Sequence, residues 1–204
     1  MWEALAISTA VIFAAELGDK SQLLAIAFAN RYRVRDVLVG ITLATSVVHL
    51  GSVALGAALG AQLERHAGAV ELTTGLAFLF FAAWTIRGDS VDDADMEKTE
   101  LFGRWAVLAV AGAFALAELG DKTMLATVTL AARGDVIGTW IGSTVGMVAA
   151  DALAIAAAIQ VGRYLPVRTM SLLAAAAFVA IGIIYIADGL PHFVPWVPHF
   201  KGPL

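Results

Sequence analysis

The stretch AAELGDKSQLLA (Ala14–Ala25) returns later in the chain as LAELGDKTMLAT (Leu116–Thr127). Each copy places a Glu, an Asp and a Lys within five residues, in the middle of an otherwise apolar segment. Charged side chains are expensive in an apolar environment unless they are paired or reach water. The two copies therefore constrain both the fold of the chain and its function.

The rest of the chain has the composition of an integral membrane protein. Of its 204 residues 60% are hydrophobic and 15% are charged, and the mean hydropathy is +0.82. A soluble domain of this size cannot bury so much apolar surface. Because a helix needs roughly 20 apolar residues to cross a bilayer, we predict an all-α protein with six transmembrane helices and no nucleic-acid partner. The six apolar runs cover about 3–29, 36–60, 69–87, 105–132, 136–160 and 168–190.

The distribution of basic residues predicts an orientation. One set of loops carries eight Lys and Arg residues, and the opposite set carries three. The richer side is expected to face the cytoplasm, which puts both termini outside and the central loop inside, in a bacterial inner membrane. The eight are Arg31, Arg33, Arg35, Arg87, Lys98, Arg104, Arg163 and Arg168, and the three are Arg65, Arg133 and Lys201.

The two charged copies belong to a longer internal repeat. An offset of 102 residues aligns Glu16 with Glu118 and Gly40 with Gly142, and it sets His49 against Asp151. Three spans in each half force the second copy to enter the membrane from the opposite side, so the duplication predicts an inverted repeat. The predicted units are a first repeat at 1–88, an acidic cytoplasmic linker at 89–102 and a second repeat at 103–204.

Both charged copies lie close to the predicted midplane of the bilayer, where a charge costs about 2.5–3.5 kcal/mol. On an ideal helix Glu16, Asp19 and Lys20 share one face, and the second copy repeats that arrangement. A glycine in each copy favours local unwinding at the same point. We therefore predict that the two copies face one another and together form a cation site. Its predicted ligands are Glu16, Asp19, Ser21, Gln22, Glu118, Asp121 and Thr123, supported by Gly18, Lys20, Gly120, Lys122 and Asp151.

Hard oxygen ligands of this kind suit Ca²⁺, Mn²⁺ or Mg²⁺. Four carboxylates and two lysines leave two negative charges, which one divalent ion neutralises. Without the ion, clustered carboxylates in a low dielectric bind protons, so protons and metal compete for the same oxygens. The alternative is that Glu16–Lys20 and Glu118–Lys122 are ion pairs within one helix that only stabilise packing.

The doubled motif E-L-G-D-K-[ST] resembles that of the Gdt/TMEM-type cation:proton antiporters, whose hallmark is two copies of E-x-G-D-[KR]-[ST] in a six-helix core. The resemblance spans the whole chain and implies exchange of Ca²⁺ or Mn²⁺ for protons, or manganese export of the bacterial MneA type. It places the cation-binding positions on the two motif copies. Met124 departs from the family pattern, because the family often has Gln at that position, as Gln22 is in the first copy.

We therefore predict a transporter, not an enzyme, that exports a divalent cation, Mn²⁺ first and Ca²⁺ second, in exchange for protons. The metal is its substrate, and no cofactor is expected. Alternatives are an exporter of small organic cations or amino acids, and a membrane assembly protein without transport activity. A homodimer is left open. Asp151 is expected to relay protons, to steer cations or to form a hydrogen bond with a neighbouring helix, and His49 is expected to be a hydrogen-bonded packing residue.

Overall fold

The computed structural model describes residues 1–63, 67–87, 106–161 and 167–194. This part of the chain is helical throughout, which confirms the predicted all-α class. The predicted linker at 89–102 lies outside the described residues. The helices are α1 (Trp2–Glu16), α2 (Lys20–Arg31), α3 (Val34–Leu63), α4 (Ala67–Arg87), α5 (Ala106–Glu118), α6 (Lys122–Ala131), α7 (Val136–Val161) and α8 (Val167–Gly189), followed by a short 3₁₀ turn (Leu190–His192).

Three helices in the described ranges are long and apolar enough to cross a membrane by length and composition. They comprise Val34–Gly60 in α3, Val136–Gln160 in α7 and Leu172–His192 in α8 with its 3₁₀ turn, and α5 is apolar but shorter. Together with the apolar composition, these helices identify an integral membrane protein. The count of six spans stays a prediction.

The predicted spans 3–29 and 105–132 are each interrupted at the charged motif. The first consists of α1 and α2, and the second consists of α5 and α6. The physical reason is a glycine in the left-handed region of backbone space, since Gly18 has a φ of 78° and Gly120 has a φ of 81°. The motif acids therefore do not share a face of one continuous helix as an ideal helix would require, whereas the unwinding expected at the glycines is present.

Glycines also let two pairs of helices pack in close contact. A Cβ placed on Gly142 of α7 would lie 2.4 Å from the carbonyl oxygen of Leu5 in α1. A Cβ placed on Gly40 of α3 would lie 2.8 Å from the carbonyl oxygen of Val107 in α5. Gly40 corresponds to Gly142, and Leu5 corresponds to Val107, by the 102-residue offset. The sequence repeat is therefore matched by a repeat in helix packing. Helix α1 packs on α7 as α5 packs on α3.

The long helices of the two halves contact each other at the middle of the molecule. The hydroxyl of Thr45 in α3 lies 3.2 Å from the sulfur of Met147 in α7, and these two residues are themselves related by the offset. Helices α4 and α8 pack together through aromatic rings, with Phe78 stacked on Tyr185 at 5.9 Å between centroids. The two interrupted segments therefore lie beside a central pair of unbroken helices.

Two apolar clusters form the core, one on each side of the motif breaks. We call the end of the molecule with Met1, Arg133 and His192 the terminal face, because these residues lie around one cavity and one acidic partner. The terminal cluster lies towards it and is built from Val11, Ile12, Ala15, Phe78, Phe81, Ala82, Ala126, Leu130, Met147, Ala175, Phe178 and Tyr185. The opposite cluster is built from Leu24, Ala25, Phe28, Val37, Ile41, Ala44, Val110, Ala113, Phe114, Ala117 and Ile155.

Candidate cation-binding site

The two helix breaks have the same backbone conformation. Asp19 precedes α2 with φ −79° and ψ 164°, and Asp121 precedes α6 with φ −76° and ψ 167°. In each break the amide of the Asp donates to the carbonyl oxygen of the motif Glu, at 3.0 Å for Glu16 and 3.2 Å for Glu118. Each break thus places a glutamate at the end of one helix and an aspartate at the start of the next.

In each break, the residue four positions after the glycine accepts a hydrogen bond from the amide of that glycine. The side-chain oxygen of Gln22 accepts a 2.8 Å hydrogen bond from the amide of Gly18, and its nitrogen donates to the carbonyl oxygen of Ala150 at 3.1 Å. In the second copy the sulfur of Met124 accepts from the amide of Gly120 at 3.2 Å. Gln22 was predicted as a cation ligand, and the structure engages both ends of its amide with the backbone. Met124 occupies the equivalent place with a weaker acceptor.

Three carboxylates from the two breaks converge on one point. Glu16, Asp19 and Glu118 are all buried, and each offers an oxygen within 4.8 Å of the other two. Ligand oxygens lie about 2.3–2.6 Å from a Ca²⁺ ion, so two on opposite sides of it are about 5 Å apart. The spacing of the three oxygens therefore fits a single cation between the two halves of the chain. Asp121 lies beside this group and is not one of its three members.

Buried hydroxyl groups orient the carboxylates. Thr123 donates to Glu118 Oε2 at 2.8 Å, and its oxygen also lies 3.5 Å from Asp121 Oδ2. Ser21 donates to Asp19 Oδ2 at 3.3 Å. Both hydroxyls were predicted as ligands, and the structure places them next to the acids at the same position of each copy.

The lysines bind acids of the other copy. Lys122 forms a buried ion pair with Asp19, and Lys20 lies 3.9 Å from Asp121. Neither Glu16 nor Glu118 forms a salt bridge within the described ranges. The alternative of Glu–Lys packing pairs within one helix is therefore wrong. The sequence does not predict that each lysine pairs with the aspartate of the other copy, since each lysine also follows directly after an aspartate in its own copy.

Several buried carboxylate oxygens have no hydrogen-bond partner in the described part of the chain. At the candidate site they are both oxygens of Glu16, both oxygens of Asp151 and Oε1 of Glu118. Buried polar atoms nearly always have a partner, so these oxygens need a cation or a proton. Asp151 interacts electrostatically with Glu16, Asp19 and Glu118, which places a fourth acid beside the three that converge.

His49, the counterpart of Asp151 in the first repeat, differs from its prediction. Its side chain is buried, yet neither ring nitrogen has a hydrogen-bond partner within the residues described. The expectation of a hydrogen-bonded packing histidine is therefore wrong. One turn earlier on α3, the hydroxyl of Thr45 contacts the sulfur of Met147 and not the imidazole.

A buried, acid-lined centre between two broken helices of a membrane protein defines the class as a cation transporter. The model of the family described as "Divalent cation/proton antiporter GDT1" matches residues 4–93 and 106–192. The chain belongs to this family of divalent cation/proton antiporters. It is a transporter and not an enzyme.

Named relatives extend over most of the chain. A Vibrio cholerae protein named "Putative manganese exporter" is 34% identical over 150 residues, which cover 72% of each chain. A GDT1-like protein of Synechocystis is 27% identical over 191 residues, covering 85% of this chain and 92% of the relative. GDT1-like protein 3 of Oryza sativa subsp. indica is 25% identical over 204 residues, covering 90% and 73%. No solved structure matches the chain.

Proposed function

We propose that this protein exports a divalent cation from the cytoplasm in exchange for protons, with Mn²⁺ as the principal substrate and Ca²⁺ as the alternative. The observation that carries the proposal is the group of three buried carboxylates, two from the first motif copy and one from the second. The name of the Vibrio cholerae relative supports manganese over calcium. Compact oxygen ligands from carboxylates suit both ions.

The proposed architecture is six membrane spans arranged as two inverted repeats, with the site between them. Contacts between positions related by the 102-residue offset support it, as do the matching φ angles of Gly18 and Gly120. Such repeats build sites that alternate between the two sides of a membrane by rocking of one part against another. The proposed orientation puts both termini outside, in a bacterial inner membrane, with the linker in the cytoplasm.

In the proposed cycle the cation and protons occupy the same oxygens in turn. When the site faces outward, protons neutralise Glu16 and Glu118, and the cation leaves. When it faces the cytoplasm, the lower availability of protons lets a cation displace them. Asp19 stays paired with Lys122 throughout, so the glutamates carry the exchangeable charge. This division is supported by the ion pairs, since each aspartate forms a salt bridge with a lysine and neither glutamate does so among the described residues.

The test is antiport by the purified protein in liposomes that contain a proton-sensitive dye. Addition of Mn²⁺ on one side is expected to move protons in the opposite direction, with Ca²⁺ and Mg²⁺ as comparison ions and lysine as an organic cation. Glu16→Gln and Glu118→Gln are each expected to abolish the response, because a neutral amide neither takes up a proton nor balances the ion.

Asp36→Asn is the matched control, since Asp36 is an acid in the first turn of α3 and lies outside the carboxylate group. This variant is expected to retain antiport. Proton movement that persists in both glutamate variants would remove these residues from the exchange. A response to lysine and not to metal ions would favour the organic-cation alternative.

A further inference from the structure

An ion pair outside the cation site ties α6 to the pair of helices α4 and α8. At the end of α6, Arg133 donates to Glu71 of α4 at 2.8 Å, and its guanidinium lies 4.6 Å from the ring centroid of Tyr185 in α8. His192, just after α8, lies 3.4 Å from the other oxygen of Glu71. Four groups from three elements therefore meet at the terminal face.

This ion pair lies over the terminal cluster. A cavity of about 320 Å³ opens beside Arg133 and Tyr185 and is also lined by Ile7, Ser8 and Leu130. Leu130 and Tyr185 belong to the terminal cluster, which separates the cavity from the carboxylates. A hydrated ion cannot pass through a packed apolar layer without displacing it. The path from the cation site to the terminal face is therefore closed.

Among the described residues, the opposite face has no equivalent of this ion pair. Arg31, the counterpart of Arg133 in the first repeat, lies 5.6 Å from the ring centroid of Tyr32 and is in no salt bridge among the described residues. The position related to Glu71 by the offset is Leu173, which has no charge. The two helix breaks thus share one backbone conformation, whereas the two ends of the repeat differ.

Helix packing shows the same asymmetry. Helix α8 packs on α1 and α4 packs on α6, whereas within the described ranges neither α4 nor α8 packs comparably on α2 or α5. The terminal cluster accordingly contains Phe78, Phe81, Phe178 and Tyr185 from α4 and α8. The opposite cluster contains no residue from these two helices. The pair α4–α8 therefore packs against the half of the core that lies towards the terminal face.

We propose that Arg133 and Glu71 are a gating pair, which holds the α4–α8 pair against α6 and closes the cation site from the terminal face. The proposal rests on the proposed transport function, since a gate is needed only if the site opens to both faces. Opening requires the Arg133–Glu71 contact to break, after which α4 and α8 withdraw from Leu130 and Ala126. The symmetry of the repeat supplies the other position, in which α4 and α8 pack on α2 and α5.

The test measures the access of a thiol reagent to a position behind the gate. The chain has no cysteine, so a single introduced cysteine is the only one that reacts. Thr127 is buried in α6, three residues closer to the site than Leu130. A membrane-impermeant maleimide applied from the terminal face is expected to label Thr127→Cys slowly. In the Thr127→Cys background, a second substitution of Glu71→Gln or Arg133→Gln is expected to raise the labelling rate about twofold to fivefold. This factor is the change in the population of the open state that follows the loss of a partly exposed ion pair.

The charge-swapped variant, Glu71→Arg with Arg133→Glu, is expected to return labelling of Thr127→Cys towards the original rate. Arg31→Gln is the matched control and is expected to leave that rate unchanged. Ala25→Cys lies at the position related to Thr127 by the offset, and Ala25 is a buried member of the opposite cluster. Its labelling from the terminal face is expected to stay low in every gate variant, which shows that the variants remain folded.

An unchanged rate in both single variants would overturn the gate, as would an increase that the charge swap does not reverse. Equal increases at Thr127→Cys and Ala25→Cys would also overturn it, since they would indicate general loosening. Labelling does not require transport, so the two proposals fail separately. A protein without cation–proton exchange that shows the expected labelling pattern would contradict the proposed function alone.

Discussion

Gly120 shows at the level of one residue how the site is built. Its φ of 81° turns the chain between Glu118 and Asp121, so that the acids on either side of it reach the space between the repeats. A residue with a Cβ rarely adopts this conformation. The glycine is therefore required by the backbone, and the acids depend on it for their positions.

Gly120→Ala tests this requirement. A Cβ on Gly120 would have no neighbour within 4 Å, so the only penalty is the left-handed conformation, which costs roughly 1–2 kcal/mol. We expect the variant to unfold at lower temperature in detergent and to bind Mn²⁺ more weakly. Gly51→Ala is the control, because Gly51 also faces open space but lies in regular helix α3. There alanine is expected to stabilise the helix by up to about 1 kcal/mol. Shifts of the same sign in both variants would contradict the strain argument.

Close contacts between helices α1 and α7, and between α5 and α3, determine how the elements assemble. The small residues at Gly40 and Gly142 were visible in the sequence, and so was the spacing that aligns them. Their partners were not, because the sequence does not say whether a glycine in an apolar helix contacts the same chain or a second copy. The structure places both contacts inside the chain.

Gly142→Ala and Gly40→Ala are expected to destabilise the protein by roughly 1–3 kcal/mol each, the range for overpacking a close contact. The added methyl group at Gly142 would meet backbone atoms of Leu5, which cannot rotate away as a side chain can. Unfolding in detergent measures the loss, with Gly51→Ala as the comparison that is not expected to destabilise the protein. If both variants unfold like the unaltered protein, the helices can move apart to accept the methyl group without a loss of stability, which would contradict this prediction.

How far the sequence predicts the site depends on the distance over which each interaction acts. Neighbouring residues in the sequence predict the break at Gly18 and the hydroxyl of Ser21 beside Asp19. Alignment of the two copies predicts the repeat. The ion pair of Lys122 with Asp19 does not, because it joins segments about a hundred residues apart and depends on how two helix breaks dock. The bond from Gln22 to Ala150 was missed for the same reason.

At the scale of the whole molecule, the proposed function couples metal binding at the acidic centre to proton release. Because the carboxylates are buried and close together, we expect them to bind protons when no cation is present. A lower pH therefore favours the protonated site and weakens cation binding. A higher pH strengthens it until no further proton is displaced.

Calorimetric titration of the purified protein with Mn²⁺ tests this coupling. If one proton leaves for each ion bound, the apparent affinity is expected to fall about tenfold for each unit of decreasing pH. Buffers with different ionisation enthalpies count the protons released. Glu118→Gln is expected to flatten the pH dependence, while Asp36→Asn retains it. Affinity that is independent of pH in the unaltered protein would contradict the competition.

The exchanged lysines give each half of the chain a counter-charge from the other half. Asp19 of the first half pairs with Lys122 of the second, and Asp121 of the second half lies near Lys20 of the first. A fragment that contains only one half would lose these contacts. Two separate halves would regain these contacts only by associating in the membrane. The covalent linker therefore makes this association intramolecular during biogenesis.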